Sequence, residues 1–257
     1  GQSYWQILPL GPTSYGDSPY QSFSTFAGNP YFISLEDLIE EGVLTREECA
    51  QADPEVQEDS IDYAKLYEER YPLLRLAYER SDISKNADFV RFCQENDWWL
   101  SDYALFMAVK ARFGGKAWTK WAQDIRLRWG NALDYYRREL YFDIEFHKYL
   151  QFTFFKQWSR LKAYANRQGI RIIGDIPIYV AMDSADAWAN PSLFQLDENN
   201  RPLAVAGCPP DGFSATGQLW GNPLYNWEYH RNTGYSWWIS RLAHCYRLYD
   251  VVRIDHF

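Results

Sequence analysis

Two short apolar runs, IRIIGDIPIYV beginning at Ile170 and VVRIDHF beginning at Val251, constrain the fold of this chain more than any other feature. Neither run alternates polar with apolar residues, so each predicts a strand that is buried on both faces, as the strands of parallel sheets are. A third β-compatible run covers residues 4–10. Because helical periodicity fills much of the intervals between these runs, the sequence predicts an α/β protein built on a parallel sheet.

The interval between the first and second strands is long, and residues 45–166 of it are predominantly helical in pattern. It contains WWLSDYALFMAVKARFGG, which predicts a helix closed by Gly114, and an amphipathic helix at residues 146–166. The buried face of that second helix is predicted to carry Leu150, Phe154, Phe155, Trp158, Leu161 and Ala165. This interval is too long to be the single helix that connects two parallel strands. The sequence therefore predicts a helical subdomain at 43–166, inserted between sheet-forming parts at 1–42 and 167–257.

The interval between the second and third strands has a different character. Residues 181–235 carry many turn formers and little periodicity, which predicts a long connection without evident regular structure. Connections of this length in compact domains are more often functional than idle. Residues 235–249 return to a helical pattern, whose predicted core face consists of Trp238, Leu242, Cys245 and Leu248.

Charge and cysteine content narrow the classes of partner. The formal net charge is −8 and Lys and Arg form no dense block, so we expect no nucleic-acid partner. No stretch is apolar for long enough to span a bilayer and no signal peptide opens the chain, so we expect no membrane partner. The four cysteines (Cys49, Cys93, Cys208 and Cys245) are widely spaced, which predicts free thiols in the cytoplasm and no metal site.

The two ends of the chain predict a fragment of a longer protein. The chain begins without Met, and it both begins and ends in predicted strands. An unpaired strand exposes backbone donors and acceptors, so whole domains rarely begin and end in this way.

The aromatic content is high, with 12 Trp, 20 Tyr and 15 Phe. Most of these rings are expected to pack cores. Aromatic faces also stack on the C–H surfaces of sugars while their polar edges bond hydroxyls, so an aromatic-lined carbohydrate groove is the alternative interpretation.

Two carboxylates follow predicted strands, and in parallel βα proteins the catalytic and binding residues lie at the carboxyl ends of the strands. Asp175 follows IRIIG, and Asp255 follows VVRI. A single aspartate at a strand end is usually a cap or a loop acceptor. Arg253, however, lies two residues before Asp255 and points to the same face of the strand, where its charge favours the ionised carboxylate. An ionised aspartate suits a nucleophile rather than an acid, and His256 adds donors for sugar hydroxyls.

Four longer stretches resemble the amylomaltases, a family of 4-alpha-glucanotransferases related to the α-amylase superfamily. They are SYWQILPLGPTSYGDSPYQSFSTFAGNPY, GDIPIYVAMDSADAW, VAGCPPDGFSATGQLWGNPLYNW and VVRIDHF, in that family's order. Runs of this length are far more specific than a short motif. The resemblance implies a partial TIM (β/α)8 barrel with a large helical insertion. YWQILPL, GDIPIYV and VVRIDHF would be its second, third and fourth strands, with the first strand and strands five to eight absent.

The resemblance also implies an activity, the retaining transfer of α-1,4-glucan segments between maltodextrins through a covalent glucosyl intermediate. Maltooligosaccharides or glucans from starch or glycogen would be the substrates, with no cofactor. Asp255 matches the catalytic nucleophile, and Arg253 matches the arginine that holds it ionised and oriented. Substrate-binding residues are implied at Asp175, His256, Tyr20, Asp211, Phe213, Trp220 and Asn222. The segment AGCPPDGFSATGQLWG matches a mobile loop on the acceptor side, which makes residues 181–235 the candidate lid.

Retaining transfer needs a second carboxyl group about 5–5.5 Å from the nucleophile. The resemblance implies a glutamate after the fifth strand for this role and a stabilising aspartate after the seventh, both outside residues 1–257. The chain alone is therefore predicted to have negligible transferase activity, with the rest of the native chain completing the barrel. A hydrolase of the same superfamily and a non-catalytic glucan-binding fragment stay open as alternatives.

Overall fold

The computed structural model describes residues 1–51 and 60–256, and three parallel strands organise them. The strands are β1 Tyr4–Gln6, β2 Arg171–Ile176, β3 Val205–Cys208, β4 Gln218–Pro223 and β5 Val251–Ile254. β1, β2 and β5 form one sheet in that order, and both of its pairings are parallel. β3 and β4 pair with each other in an antiparallel ribbon.

The three predicted strands are therefore confirmed as parallel neighbours. In the register of the sheet, Tyr4 lies opposite Arg171, and Asp175 lies opposite Arg253. β2 ends at Ile176, before the predicted end at residue 180. The reason is that Pro177 has no backbone N–H with which to continue the ladder.

Helices make up most of the remainder. They are α1 Leu35–Glu40, α2 Arg46–Gln51, α3 Tyr63–Arg80, α4 Ala87–Arg112, α5 Gln123–Arg126, α6 Gly130–Glu139, α7 Tyr141–Arg167, α8 Ala185–Ala189, α9 Trp227–Asn232 and α10 Ser236–Leu248. Short 3₁₀ helices occur at Tyr15–Asp17, Pro30–Phe32, Ile83–Lys85, Trp118–Lys120 and Pro191–Leu193.

The two longest helices of the described residues, α4 and α7, pack against each other through aromatic side chains. The rings of Phe92 and Phe152 lie 5.7 Å apart, and those of Trp99 and Phe155 lie 6.1 Å apart. α4 begins at Ala87, the side chain of the preceding Asn86 accepts hydrogen bonds from its first turn, and it ends before Gly114 as predicted. α7 begins at Tyr141, five residues before its predicted start at residue 146.

The predicted buried face of α7 is correct except at one position. Leu150, Phe154, Phe155 and Trp158 are buried, and Ala165 packs against the core. Leu161 lies on the same face but is 44% exposed, so its predicted burial is wrong. It borders an open groove beside Phe32 and Tyr164, where none of the described residues covers it.

The expectation of little regular structure at residues 181–235 is also wrong. This connection holds α8, β3, β4 and α9, with four to six residues in each. Elements so short show hardly one period of their pattern, and the pairing of β3 with β4 shifts register between Val205 and Gly207. Gly207 is required in this ribbon, because a Cβ there would lie 2.4 Å from the carbonyl oxygen of Gln218.

One hydrophobic cluster among the described residues draws on all three predicted parts of the chain. Leu10, Phe106 and Ile172 belong to it, and they come from the first, second and third parts respectively. The division at residues 42 and 166 stays a prediction. Within residues 1–51 and 60–256, no helix is both long and apolar enough to cross a membrane.

Gly174 in β2 allows close packing beneath the carboxyl end of the sheet. A Cβ on Gly174 would lie 2.2 Å from a ring carbon of Tyr249, so Gly174→Ala must displace the ring or the strand. We expect this change to lower the free energy of unfolding by about 1–3 kcal/mol. The urea denaturation midpoint measures it. Gly130→Ala is the control, because nothing lies within 4 Å of its Cβ position. Equal midpoints for the two variants would contradict this packing.

Candidate active site

The register of the parallel sheet brings charged side chains to one edge. Asp175 on β2 lies opposite Arg253 on β5, and Asp255 follows two residues after Arg253. All three therefore meet at the carboxyl ends of the strands, where the sequence predicts the working residues.

Arg253 joins the two carboxylates. Its Nη1 donates to Oδ1 of Asp175 at 2.8 Å, and its Nη2 lies 2.8 Å from Oδ2 of Asp255. A planar guanidinium can make both contacts at once because its donors form a rigid fork, whereas a lysine ammonium presents a single point charge. The hydrogen bond from Arg253 lowers the pKa of Asp255, and the backbone N–H of His256, which donates to Oδ1 at 3.0 Å, lowers it further.

Asp175 is 2% exposed, and both of its oxygens are engaged. Oδ1 accepts from Arg253, and Oδ2 accepts a hydrogen bond of 2.7 Å from the hydroxyl of Tyr20. Burial raises the pKa of Tyr20 to about 12, and the hydrogen bond to Asp175 adds to the rise. Tyr20 thus stays protonated at neutral pH and keeps donating. Asp175 in this arrangement is a buried anchor that holds both Tyr20 and Arg253.

An open cleft of about 530 Å³ lies beside this cluster. Five of the residues implied by the resemblance line it, namely Tyr20, Trp220, Asn222, Asp255 and His256. Its other lining residues are Ser18, Gln21, Pro177, Ile178, Tyr179 and Gln218. The side chain of Asp255 is 39% exposed, so its carboxylate is within reach of a ligand in the cleft.

The aromatic wall of the cleft is built by His256 and Trp220. His256 has a φ of +56°, a left-handed conformation uncommon for residues other than glycine. Its ring centroid lies 4.8 Å from that of Trp220, which belongs to β4. Gln21 ties β4 to the loop after β1, because its Nε2 donates to Oδ1 of Asn222 at 3.1 Å.

Asp211 and Phe213 do not line the cleft. They lie at the tip of the ribbon formed by β3 and β4, and Phe213 is 98% exposed. Oδ1 of Asp211 accepts from the backbone N–H groups of Phe213 and Ser214, both at 2.8 Å, which fixes the turn. Their proposed contact with sugar stays a prediction.

Sequence reasoning missed Arg241, which supports the segment that follows Asp175. Arg241 on α10 is 3% exposed and donates to the carbonyl oxygens of Pro177 and Ile178, the latter at 3.1 Å. It also donates to the hydroxyl of Tyr225 at 3.1 Å. Pro177 and Ile178 line the cleft, so a buried cation holds the cleft wall by its main chain. The sequence did contain a signal for this role. Arg241 lies three residues after Trp238 and four before Cys245, which places a charged residue on the predicted core face of α10.

Known proteins are similar to this chain along its whole length. The family model described as 4-alpha-glucanotransferase matches residues 1–257. A 4-alpha-glucanotransferase of Streptococcus pneumoniae is 52% identical over 258 residues, which are 100% of this chain and 51% of that protein. One from Clostridium butyricum is 49% identical over 258 residues, which cover 53% of its length. The chain thus spans about half the length of the curated relatives it matches.

A solved structure agrees with the sequence relatives. The amylomaltase from Streptococcus agalactiae, in complex with acarbose, superimposes with a TM-score of 0.94 and is 46% identical, over 100% of this chain and 52% of that one. The predicted resemblance to amylomaltases is confirmed, and β1, β2 and β5 are strands of a partial TIM barrel. The chain belongs to the 4-alpha-glucanotransferase family.

Proposed function

We propose that the protein to which these residues belong is a 4-alpha-glucanotransferase. It transfers α-1,4-glucan segments between maltodextrins, with Asp255 as the nucleophile. The observation that carries the proposal is the contact between Arg253 and Asp255, which lowers the pKa of a carboxylate exposed in an aromatic-walled cleft. An ionised, accessible carboxylate beside stacking surfaces for sugar rings is what the nucleophile of a retaining glycosyl transfer requires.

In the first step an oxygen of Asp255 attacks the anomeric carbon of a bound glucose unit. A carbon–oxygen bond forms to Asp255 while the glycosidic bond breaks, and the leaving oxygen takes a proton from an acid. The resemblance assigns this acid to a glutamate outside residues 1–257. In the second step a hydroxyl of an acceptor sugar attacks the same carbon, releases Asp255 and gives its proton back to that glutamate.

The other residues of the cleft bind and orient the sugar in this proposal. Tyr20 offers its ring to the glucose unit at the reacting centre, and His256 and Asn222 offer polar groups to hydroxyls. Trp220 provides a second aromatic surface. Asp175 fixes Tyr20 and Arg253 through the contacts described above. The acarbose complex of the Streptococcus agalactiae relative supports an oligosaccharide ligand for this cleft.

The proposal extends to the substrate and to the cellular compartment of the enzyme. The substrate is a maltooligosaccharide or another α-1,4-glucan, and we propose a cytoplasmic enzyme. Four free cysteines support a reducing compartment. The net charge of −8 suits a neutral polymer better than a nucleic acid.

Replacement of the nucleophile is the direct test. Asp255→Asn in the full-length protein should reduce the disproportionation of maltotriose by roughly 10⁴–10⁶-fold, because the amide cannot form the covalent intermediate. Products are followed by chromatography. Transfer yields glucose together with longer maltodextrins, whereas hydrolysis, the alternative activity, yields only shorter products. Asp134→Asn, an exposed carboxylate on α6, is the control and should leave activity unchanged. Full activity of Asp255→Asn would refute the assignment.

The dependence of activity on pH tests the role of Arg253. The contact with Arg253 lowers the pKa of Asp255, so the nucleophile stays ionised as the pH falls through the ordinary range near 3.9. Arg253→Met removes the contact, raises that pKa and should move the acid limb of the kcat/KM profile to higher pH. Arg171→Met, at an exposed position that begins β2, should leave the limb in place. An acid limb at the same pH in all three proteins would contradict this role.

A substitution at the exposed tip of the ribbon of β3 and β4 tests whether this loop acts as a lid. If Phe213 closes over the acceptor, Phe213→Ala should raise the ratio of hydrolysis to transfer, because water then reaches the covalent intermediate more easily. The ratio is measured as reducing ends released per transfer event. Phe142→Ala is the matched control, since Phe142 is 75% exposed at the start of α7. An equal ratio in both variants would remove the lid from the proposal.

A further inference from the structure

A second cleft, of about 250 Å³, opens where α4, α8, α9 and α10 meet. It shares no lining residue with the cleft that holds Asp255. Its floor includes Phe26 and Trp99, and its walls include Trp98, Tyr229 and Trp237. The volume is below the roughly 300–1,000 Å³ of enclosed ligand pockets, so it suits one small ring with the rest of a ligand outside.

Some aromatic rings in the walls of this cleft are exposed to solvent and do not serve only to pack the core. Trp98 is 51% exposed and Tyr229 is 39% exposed, while Phe26 beneath them is buried. The ring of Phe26 lies 4.7 Å from that of Trp98 and 6.2 Å from that of Trp237, so the three rings form a supported platform. The indole Nε1–H of Trp237 has no acceptor among the described residues.

The polar groups of this cleft are mostly neutral. Asn190, Ser236 and Ser240 line it and offer hydroxyl and amide groups. Asp102 also lines it, but Arg128 neutralises that carboxylate at 2.7 Å. Among the described residues that line the cleft there is no lysine or arginine, which disfavours an anionic ligand.

Asp186 is a buried carboxyl group that lines this cleft. It is 4% exposed, its Oδ2 accepts from the backbone N–H of Thr25 at 2.7 Å, and no cation of the described residues forms an ion pair with it. Burial raises the pKa of Asp186 to about 6. A carboxyl group in this state suits hydroxyl donors better than a permanent cation, since burial already disfavours its charged form.

From this geometry we infer that the cleft between Trp98, Asp186 and Trp237 is a second, non-catalytic glucan-binding site. One glucose unit stacks on Trp98, its hydroxyls bond Asp186, Asn190 and Ser240, and the α-1,4 chain continues into solvent. The proposed function supplies only the identity of the ligand, an α-glucan; the site itself stands on its own residues.

Binding stoichiometry in the full-length protein tests this site. In the Asp255→Asn background, which prevents turnover, calorimetry with maltohexaose should detect two bound molecules per protein. Adding Trp98→Ala should weaken one of them by about tenfold or more and leave the other unchanged. Adding Ser240→Phe, which fills the cleft without removing a packed side chain, should do the same. Trp129→Ala is the matched control, because Trp129 is 49% exposed and does not line the cleft.

Three results would overturn the inference. The first is a stoichiometry of two that neither Trp98→Ala nor Ser240→Phe changes. The second is a stoichiometry of one that neither variant changes. The third is binding of tetramethylammonium that depends on Trp98 where maltohexaose does not bind, which would make this a cation site. Failure of the proposed function is a separate result, because the wild-type protein would then not disproportionate maltotriose, whatever the stoichiometry.

Discussion

The pairing of β2 with β5 in one register is the constraint on which the candidate active site depends. It sets Asp175 opposite Arg253, and the fork of Arg253 then reaches Asp255, which follows the last residue of β5. A shift of one residue would turn Arg253 to the other face of the sheet and break its contact with Asp175, whereas Asp255, two residues later in the same segment, would turn with it. The hold of the buried Asp175 on the guanidinium therefore follows from main-chain pairing, and the contact of the guanidinium with the nucleophile is local.

Buried groups outside the cleft hold that arrangement in place. Gly174 lets Tyr249 pack directly against β2, and Asp175 comes next in the chain. Arg241 then binds the carbonyl groups of Pro177 and Ile178, where the strand has ended and the sheet no longer satisfies them. The exposed residues of the cleft can stay accessible because their backbone is fixed from beneath.

Features that depend on local spacing could be predicted from the sequence, and features that depend on tertiary packing could not. Arg253 and Asp255 are two residues apart in the predicted strand, so their contact could be predicted from spacing alone. The hydrogen bond between Tyr20 and Asp175 spans 155 residues, and only the resemblance to a family brought these two together. Leu161 has the spacing of a core residue, but spacing does not reveal whether another element covers it. The ribbon of β3 and β4 is too short to leave a period in the sequence.

The segment between β1 and α1 contributes to both clefts, and this sets how they are related physically. Tyr20 and Gln21 line the cleft of Asp255, whereas Ser24 and Phe26 line the second cleft. Two side chains hold the main chain of this segment: Oδ2 of Asp186 accepts from the backbone N–H of Thr25 at 2.7 Å, and Nε2 of His244 donates to the carbonyl oxygen of Phe26 at 2.8 Å. Asp186, which we infer to bind sugar in the second cleft, is thus also an anchor of the segment that carries Tyr20. These two hydrogen bonds therefore hold the stretch of backbone that presents lining residues to both clefts.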